Sequence, residues 1–228
     1  PLSWARRFWG PGVVWLTRCN LVQHPGFVPT PGEPYIYVMN HQSMMDIVAA
    51  FVAIPRNFRF IAKKSLKPIP FLGWYMTATG MVFIDRKNRQ SALRSLDEAC
   101  QSIRGGISIL VYPEGTRSRD GAILPFKKGP FVMAIQSGVP LVPVVVEGSR
   151  RILGRDTARL FPATVDVKIG QPIPTTGLTL ADRDALIRRV RDAMIDMHEA
   201  IGGCGGDKAA AISQHEGRGA ADAADSRD

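Results

Sequence analysis

No apolar run in this sequence reaches the about 20 residues that a membrane-spanning helix needs. Two long uncharged stretches, 68–84 and 129–146, come nearest to that length, and both are interrupted by proline and glycine. They therefore predict strands and helices of a folded core. The sequence also contains no G-x-S-x-G motif, which excludes the nucleophile elbow of a serine hydrolase of the α/β-hydrolase type.

Cysteine is scarce as well, with only Cys19, Cys100 and Cys204 in 228 residues. Their number is odd and their spacing matches no metal-binding motif. We therefore expect no metal site and three reduced thiols, which is typical of a cytosolic or cytosol-facing protein.

Positive charge is present in excess and is unevenly distributed. The net charge is +9, and residues 1–130 hold 17 Lys and Arg against 7 Asp and Glu. Residues 131–228 are close to neutral, with 12 against 13. The basic part predicts a face that meets phosphates, either on nucleic acid or on anionic lipid headgroups. Composition fits both partners.

Apolar segments of two kinds alternate along the middle of the chain. Short runs rich in β-formers predict strands, and longer amphipathic segments predict helices. This alternation is typical of a layered α/β domain. The strands are predicted at 35–39, 58–62, 81–84, 107–112, 141–146 and 164–169, and the helices at 44–53, 91–104, 130–137 and 180–201.

The two ends of the chain differ in composition from this middle part. Residues 1–28 carry Trp4, Trp9 and Trp15 among arginines, a pattern that favours a helical, membrane-associated segment lying in the interface. A helix packed on the protein's own core is the alternative. Residues 29–202 form the predicted α/β domain. Residues 203–228 are rich in Gly, Ala, Asp and Ser, which predicts a disordered tail.

The first candidate for chemistry is the segment 40–46, N-H-Q-S-M-M-D, between a predicted strand and a predicted helix. Five residues correspond to about 140° of rotation on a regular helix, so His41 is expected in the turn before the helix. Asp46 would then reach back and accept from one ring nitrogen, leaving the other free to take a proton. A simple capping turn with an incidental histidine remains the alternative.

Two further segments place charged residues after predicted strands. In Y-P-E-G-T-R-S at 112–118, Arg117 is suited to a bidentate grip on phosphate, and Gly115 lets the backbone approach a ligand closely. In G-M-V-F-I-D-R at 80–86, Arg86 could serve as a second phosphate ligand. The alternative is a tight turn held by a Glu–Arg ion pair in the first segment and a surface ion pair in the second. The run V-P-L-V-P-V at 139–144 has no reactive group and suits a structural strand or a wall for an acyl chain.

These four segments together resemble the ordered blocks of the glycerolipid acyltransferase family, of the 1-acylglycerol-3-phosphate type. The resemblance spans roughly residues 30–150. It implies a single α/β domain with a mixed central sheet flanked by helices, as in glycerol-phosphate acyltransferases. Two features depart from the family pattern: Met44 stands where many members have an aromatic residue, and the hydrophobic N-terminal anchor is short or absent.

The resemblance also implies a reaction. A fatty acyl group would pass from acyl-CoA or acyl-carrier protein to the sn-2 hydroxyl of 1-acyl-glycerol 3-phosphate, giving phosphatidic acid in phospholipid biosynthesis. His41 would be the general base and Asp46 its orienting partner, with no cofactor and no nucleic-acid partner. The protein would work on a membrane surface at the cytoplasmic face, the inner membrane if bacterial. The implied substrate-binding residues are Glu114, Gly115, Thr116, Arg117, Arg86 and Lys63.

Other functions stay open at this point. Another lysophospholipid, a lyso-ornithine lipid or glycerol 3-phosphate would suit similar blocks as acceptor. A nucleic-acid-binding module would use the basic face with interleaved aromatic residues. However, Phe58 and Phe60 alternate along the chain as the core positions of a strand do.

Overall fold

The computed structural model describes residues 2–85, 89–154, 157 and 159–206. Within these residues one seven-stranded sheet organises the chain, in the order β1-β7-β6-β2-β5-β3-β4. Five strands from β6 to β4 run parallel, while β7 is antiparallel to β6 and β1 is parallel to β7. The strands are β1 (Asn20–Gln23), β2 (Ile36–Met39), β3 (Phe58–Lys63), β4 (Val82–Ile84), β5 (Ser108–Val111), β6 (Leu141–Glu147) and β7 (Thr164–Ile169).

Helices cover both faces of this sheet. They are α1 (Leu2–Trp4), α2 (Gly10–Leu16), α3 (Met45–Ala53), α4 (Leu72–Ala78), α5 (Arg89–Arg104), α6 (Gly129–Ser137), α7 (Ser149–Ile152) and α8 (Arg183–Ala200). A π-helical turn, Ala5–Trp9, joins α1 to α2, and short 3₁₀ turns occupy Lys64–Leu66 and Leu180–Asp182.

The core divides into two apolar clusters, one on each face of the sheet, because successive strand side chains point in opposite directions. Tyr37 and Met39 of β2 belong to one cluster, and Ile36 and Val38 to the other. The first face packs against the N-terminal helices, α3 and part of α4. The second packs against α5, α6 and α8. Central strands β2, β5 and β6 are buried throughout, as expected when helices cover both faces.

The parallel arrangement sets where a site can form. The carboxyl ends of β2, β3, β4, β5 and β6 meet at one edge of the sheet, which is where ligands bind in open α/β sheets. The predicted functional segments follow these strands, so the fold brings them to a common edge.

The fold confirms the predicted α/β domain with a mixed sheet, and each predicted strand and helix has a counterpart within a few residues. Strand β1 and the short helix α7 were not predicted, and α4 was predicted only without bounds, among the core elements expected over 68–84. The sheet therefore begins at Asn20, inside the segment 1–28 that was assigned to the membrane-associated N-terminus. Helical structure in that segment is present from Leu2 to Leu16. No helix in the described part of the chain is both long and apolar enough to cross a bilayer.

The predicted tail also begins later than expected. Gly206 bridges to Ile123, and the N–H of Gly203 donates to the carbonyl of His198. Residues 203–206 therefore belong to the folded domain. Residues 207–228 lie outside the described residues, so a disordered tail there stays a prediction.

Candidate active site

The centre of the site is the carboxylate of Asp46, in the first turn of α3, whose side chain is 0% exposed. Its Oδ2 accepts the backbone N–H groups of Gln42 (2.7 Å) and Ser43 (2.8 Å) and lies 2.7 Å from Nδ1 of His41. Its Oδ1 accepts the hydroxyl of Ser149. Four donors around one buried carboxylate compensate its loss of solvent and fix its position.

His41 is oriented by this carboxylate. With Nδ1–H donating to Asp46, Nε2 is the ring nitrogen left with a free lone pair. The His41 side chain is 15% exposed, so the ring can be approached from outside. Its ring stacks on Tyr112 at 4.0 Å between centroids with an interplanar angle of 17°. Burial, and then the charge of Asp46, raise the pKa of Tyr112 well above its ordinary value, so the stacking partner stays a neutral phenol.

The backbone of His41 is fixed from two sides by the segment that follows β5. Its N–H donates to Oε1 of Glu114 (3.1 Å), and its carbonyl accepts the N–H of Ser118 (2.7 Å). The turn that allows this contains Gly115 at φ +73°, where a side chain would be strained. The predicted segments 40–46 and 112–118 are thus joined directly.

Glu114 is placed differently from the sequence expectation. The residue is only 3% exposed, which leaves its carboxyl almost no surface to offer a ligand. Burial raises its pKa to about 8, and the nearby charge of Asp46 adds to the effect, against hydrogen bonds from the backbone of His41 and Leu124. We therefore assign Glu114 to holding the His41 backbone, in place of direct contact with the acceptor.

A second buried polar cluster lies next to the site. The amide of Gln42 donates to Oε2 of Glu147 (2.9 Å) and to the carbonyl of Gly121 (3.1 Å). His198 accepts the N–H of Gly205 at Nδ1 (3.2 Å), so its Nε2–H donates to Oε2 of Glu147 (3.0 Å). Burial opposes ionisation of Glu147, but these hydrogen bonds outweigh it and lower its pKa to about 2. The cluster ties α8 to the loop that carries His41.

The other predicted ligands lie at or beside the same edge. Arg117 is half-buried and Thr116 exposed, and both precede Ser118, whose N–H contacts His41. Lys63 is exposed at the carboxyl end of β3, beside β5 in the sheet. Arg86 lies outside the described residues.

Comparison with known proteins agrees with this arrangement. The profile of the family described as Acyltransferase matches residues 21–147, more than half of the chain. The chain belongs to the acyltransferase family. The matched segment includes His41, Asp46, Glu114 and Glu147, but neither Ser149 nor His198.

Similar proteins point to one type within the family. The chain is 39% identical over 173 residues to the 1-acyl-sn-glycerol-3-phosphate acyltransferase of Saccharomyces cerevisiae, covering 75% of this chain and 57% of the yeast protein. It is 35% identical over 181 residues to the human 1-acyl-sn-glycerol-3-phosphate acyltransferase alpha, covering 78% and 64%. This acyltransferase chain therefore spans about three fifths of these relatives' length.

A solved structure is similar over most of the fold. The 1-acyl-sn-glycerophosphate (LPA) acyltransferase PlsC from Thermotoga maritima superposes with a TM-score of 0.74 at 30% identity. The match covers 85% of this chain and 76% of PlsC. The similarity to PlsC therefore extends beyond the family segment 21–147.

Three residues of the site were missed by the sequence analysis. Ser149 follows a strand and a glycine, with no motif to mark it. Glu147 ends the buried strand β6, where a charge is itself a signal. His198 continues the apolar spacing of Leu186, Val190 and Met194 on α8, and a histidine at such a position is buried and needs partners.

The raised pKa of Glu114 predicts how stability depends on pH. The folded protein holds this proton up to about pH 8, whereas an unfolded chain releases it near the usual value of 4.5. The group's contribution to the free energy of unfolding therefore falls as pH rises between these values. Glu114→Gln keeps an oxygen to accept from His41 and carries no titrating proton. Its melting temperature should therefore match that of wild type near pH 5, and should exceed it above pH 8, where wild type has lost this contribution.

Melting curves of Glu114→Gln, of wild type and of Glu98→Gln at the two pH values test this. Glu98 is exposed, so its replacement should shift the melting temperature by the same amount at both pH values. If the melting temperatures of Glu114→Gln and wild type differ by the same amount at both pH values, the buried carboxyl is not protonated at neutral pH.

The cluster around Glu147 predicts a large stability loss for His198→Ala. The change leaves a buried carboxylate short of one donor, which costs about 2–5 kcal/mol. His24 donates to Asp166 at 2.8 Å, but these side chains are 32% and 22% exposed, so His24→Ala should cost under about 1 kcal/mol. Urea unfolding of both variants measures the difference. Equal losses would mean that the His198 contact adds no more than a surface pair.

Proposed function

We propose that this chain transfers a fatty acyl group from acyl-CoA or acyl-carrier protein to the free sn-2 hydroxyl of 1-acyl-glycerol 3-phosphate. The product is phosphatidic acid, an intermediate of phospholipid biosynthesis. The observation that carries the proposal is the 2.7 Å contact of His41 Nδ1 with the buried carboxylate of Asp46 at the carboxyl edge of the sheet. The names of the yeast, human and Thermotoga relatives supply the acceptor.

His41 acts as the general base in this mechanism. Its Nε2 takes the proton of the acceptor hydroxyl while that oxygen attacks the thioester carbonyl. The tetrahedral intermediate then expels the thiolate of the donor, and the imidazolium returns its proton to that thiolate. Asp46 holds the ring in the required tautomer and stabilises the imidazolium. General-base catalysis contributes about 10²–10⁴-fold, and positioning of the two substrates can contribute about 7–11 kcal/mol.

Attack is direct in this proposal, with no acyl-enzyme. A thioester is already activated and its thiolate leaves readily, so the reaction needs no protein nucleophile. Cys100 is buried in the second cluster, where burial raises the pKa of its thiol. The hydroxyl of Ser43 donates to the carbonyl of Leu153, and that of Ser149 donates to Asp46. These contacts suit a structural role better than a nucleophilic one.

The acceptor phosphate is proposed to meet the loop after β5. Arg117 would grip it, with Thr116 and the backbone at Gly115 contributing donors. Lys63 would add positive charge from the end of β3, and Arg86 is proposed as a further phosphate ligand. This loop is joined to His41 through Ser118, which gives a physical link between phosphate binding and placement of the hydroxyl. Basic residues near the sheet edge also suit a location on the cytoplasmic face of a membrane with anionic lipids.

The central test compares His41→Ala with His24→Ala. Both changes remove a histidine that contacts an aspartate within hydrogen-bond distance, but only the first lies at the proposed site. Transfer from palmitoyl-CoA to 1-acylglycerol 3-phosphate should fall by about 10²–10⁴-fold in His41→Ala and stay within a few-fold of wild type in His24→Ala.

The acceptor is tested in the same assay by substitution. Glycerol 3-phosphate, a lyso-ornithine lipid and lysophosphatidylcholine are offered in parallel, and the rate should be highest with 1-acylglycerol 3-phosphate. Substantial transfer by His41→Ala would remove the general-base role, and a faster rate with another acceptor would replace the substrate.

A further inference from the structure

An apolar patch lies on the segment that follows β3 and is unused by the mechanism above. It consists of Ile69, Phe71, Leu72 and Trp74, at the start of α4, and we call it the α4 patch. Phe71 is 79% exposed and Trp74 66%, and their rings contact each other edge to face at 5.4 Å between centroids. Side chains of this size rarely cluster on a surface without a partner.

The patch is presented by a stiff segment. Pro68 and Pro70 restrict the backbone, the N–H of Leu72 donates to the carbonyl of Pro70 at 2.6 Å, and that of Gly73 donates to Ile69 at 2.8 Å. A Cβ on Gly73 would come within 1.9 Å of the carbonyl oxygen of Lys67, so the turn packs directly on the helix. The aromatic rings are therefore held outward before any partner arrives.

Phe71 has a backbone conformation that disfavours it. Its φ of +60° lies in the region that only glycine adopts freely. The exposed ring adds little to the core that would offset this strain. A use outside the folded domain accounts for the exposed aromatic side chain at this position.

Charge around the patch indicates the partner. Lys64 and Lys67 are exposed on the turn that leads into α4, and Lys63 ends the preceding strand. Lys64 lies 3.8 Å from Asp85, and Glu98 lines the same cavity as Lys64 and Lys67. The three lysines still outnumber these two carboxylates among the described residues. Aromatic and aliphatic side chains flanked by lysines are the composition of segments that insert into an anionic lipid interface.

The position of the α4 patch in the fold also favours a lipid interface as its partner. Tyr75 and Met76 of α4 pack on the same core cluster as Val13 and Val14 of α2, so α4 and the N-terminal helices cover the same face of the sheet. The α4 segment also leaves the sheet from the carboxyl edge at which His41 lies. A second copy of the chain fits less well, since a stable dimer needs about 800 Å² from each partner and this patch consists of only four apolar side chains.

We propose that the α4 patch is a membrane contact, in which Phe71 and Trp74 insert between the headgroups of an anionic bilayer while Lys64 and Lys67 meet lipid phosphates. It would hold the carboxyl edge of the sheet near the surface where a lipid acceptor resides. Only the purpose of this contact rests on the proposed function. Binding to vesicles is measured without any turnover, so it tests the contact by itself.

The test is flotation of the protein with vesicles of equimolar phosphatidylcholine and phosphatidylglycerol, and with vesicles of phosphatidylcholine alone. Phe71→Gly/Trp74→Ser should weaken binding to the anionic vesicles by about tenfold or more. Glycine relieves the positive φ at 71, so the variant should melt no lower than wild type. Leu160→Ser/Phe161→Ser removes apolar side chains of similar exposure elsewhere and should leave binding within about twofold.

The lysines are tested separately. Lys64→Gln/Lys67→Gln should bind the anionic vesicles about fivefold more weakly for each lysine removed. Its binding to neutral vesicles should change little. In both double variants, transfer to a short-chain 1-acylglycerol 3-phosphate dispersed below its micelle concentration should stay near the wild-type rate.

Three results would overturn the proposal. One is vesicle binding by Phe71→Gly/Trp74→Ser equal to wild type. Another is a change of oligomeric state in sedimentation velocity with unchanged vesicle binding, which would assign the patch to a second copy. The third is loss of transfer to the dispersed acceptor, which would assign it to the substrate site. Absence of transfer in every protein would count against the proposed function and leave the vesicle result standing.

Discussion

The structure of the site depends on one buried charge, the carboxylate of Asp46. An isolated ion at 0% exposure would be strongly unfavourable, so the chain must surround it with donors. Three of them come from the turn His41–Ser43 and the fourth, Ser149, from the start of α7. Satisfying Asp46 therefore shapes the turn, orients the histidine and fixes α7 against α3.

The sheet makes this arrangement possible because its parallel strands end together. The turn after β2 carries His41, and the loop after β5 supplies Tyr112, Glu114 and Ser118 around it. The end of β6 supplies Glu147, which links Gln42 to α8 through His198. The site is thus buttressed by groups far apart in sequence, which suits a base that must keep its geometry while two substrates come and go.

Much of this could be predicted, for identifiable reasons. Central strands are continuous apolar runs bounded by turns, and the spacing of His41 and Asp46 predicts a histidine in the turn before the helix. Strand β1 was missed because its four residues are only partly buried. Helix α4 was predicted without bounds, since prolines interrupt the uncharged stretch that contains it. The burial of Glu114 and the contacts of Ser149 and His198 arise from tertiary packing, which no local pattern encodes. The proposed phosphate ligands Arg117 and Arg86 rest on their places after predicted strands and on the family resemblance.

The central claim is that a histidine base activates the acceptor for direct attack on the thioester. The most direct measurement mixes the purified protein with palmitoyl-CoA and follows free thiol together with the intact mass of the protein. Our account predicts no thiol release and no mass gain until 1-acylglycerol 3-phosphate is added, and then one thiol for each acyl group transferred. A palmitoylated protein, or thiol released without the acceptor, would contradict it.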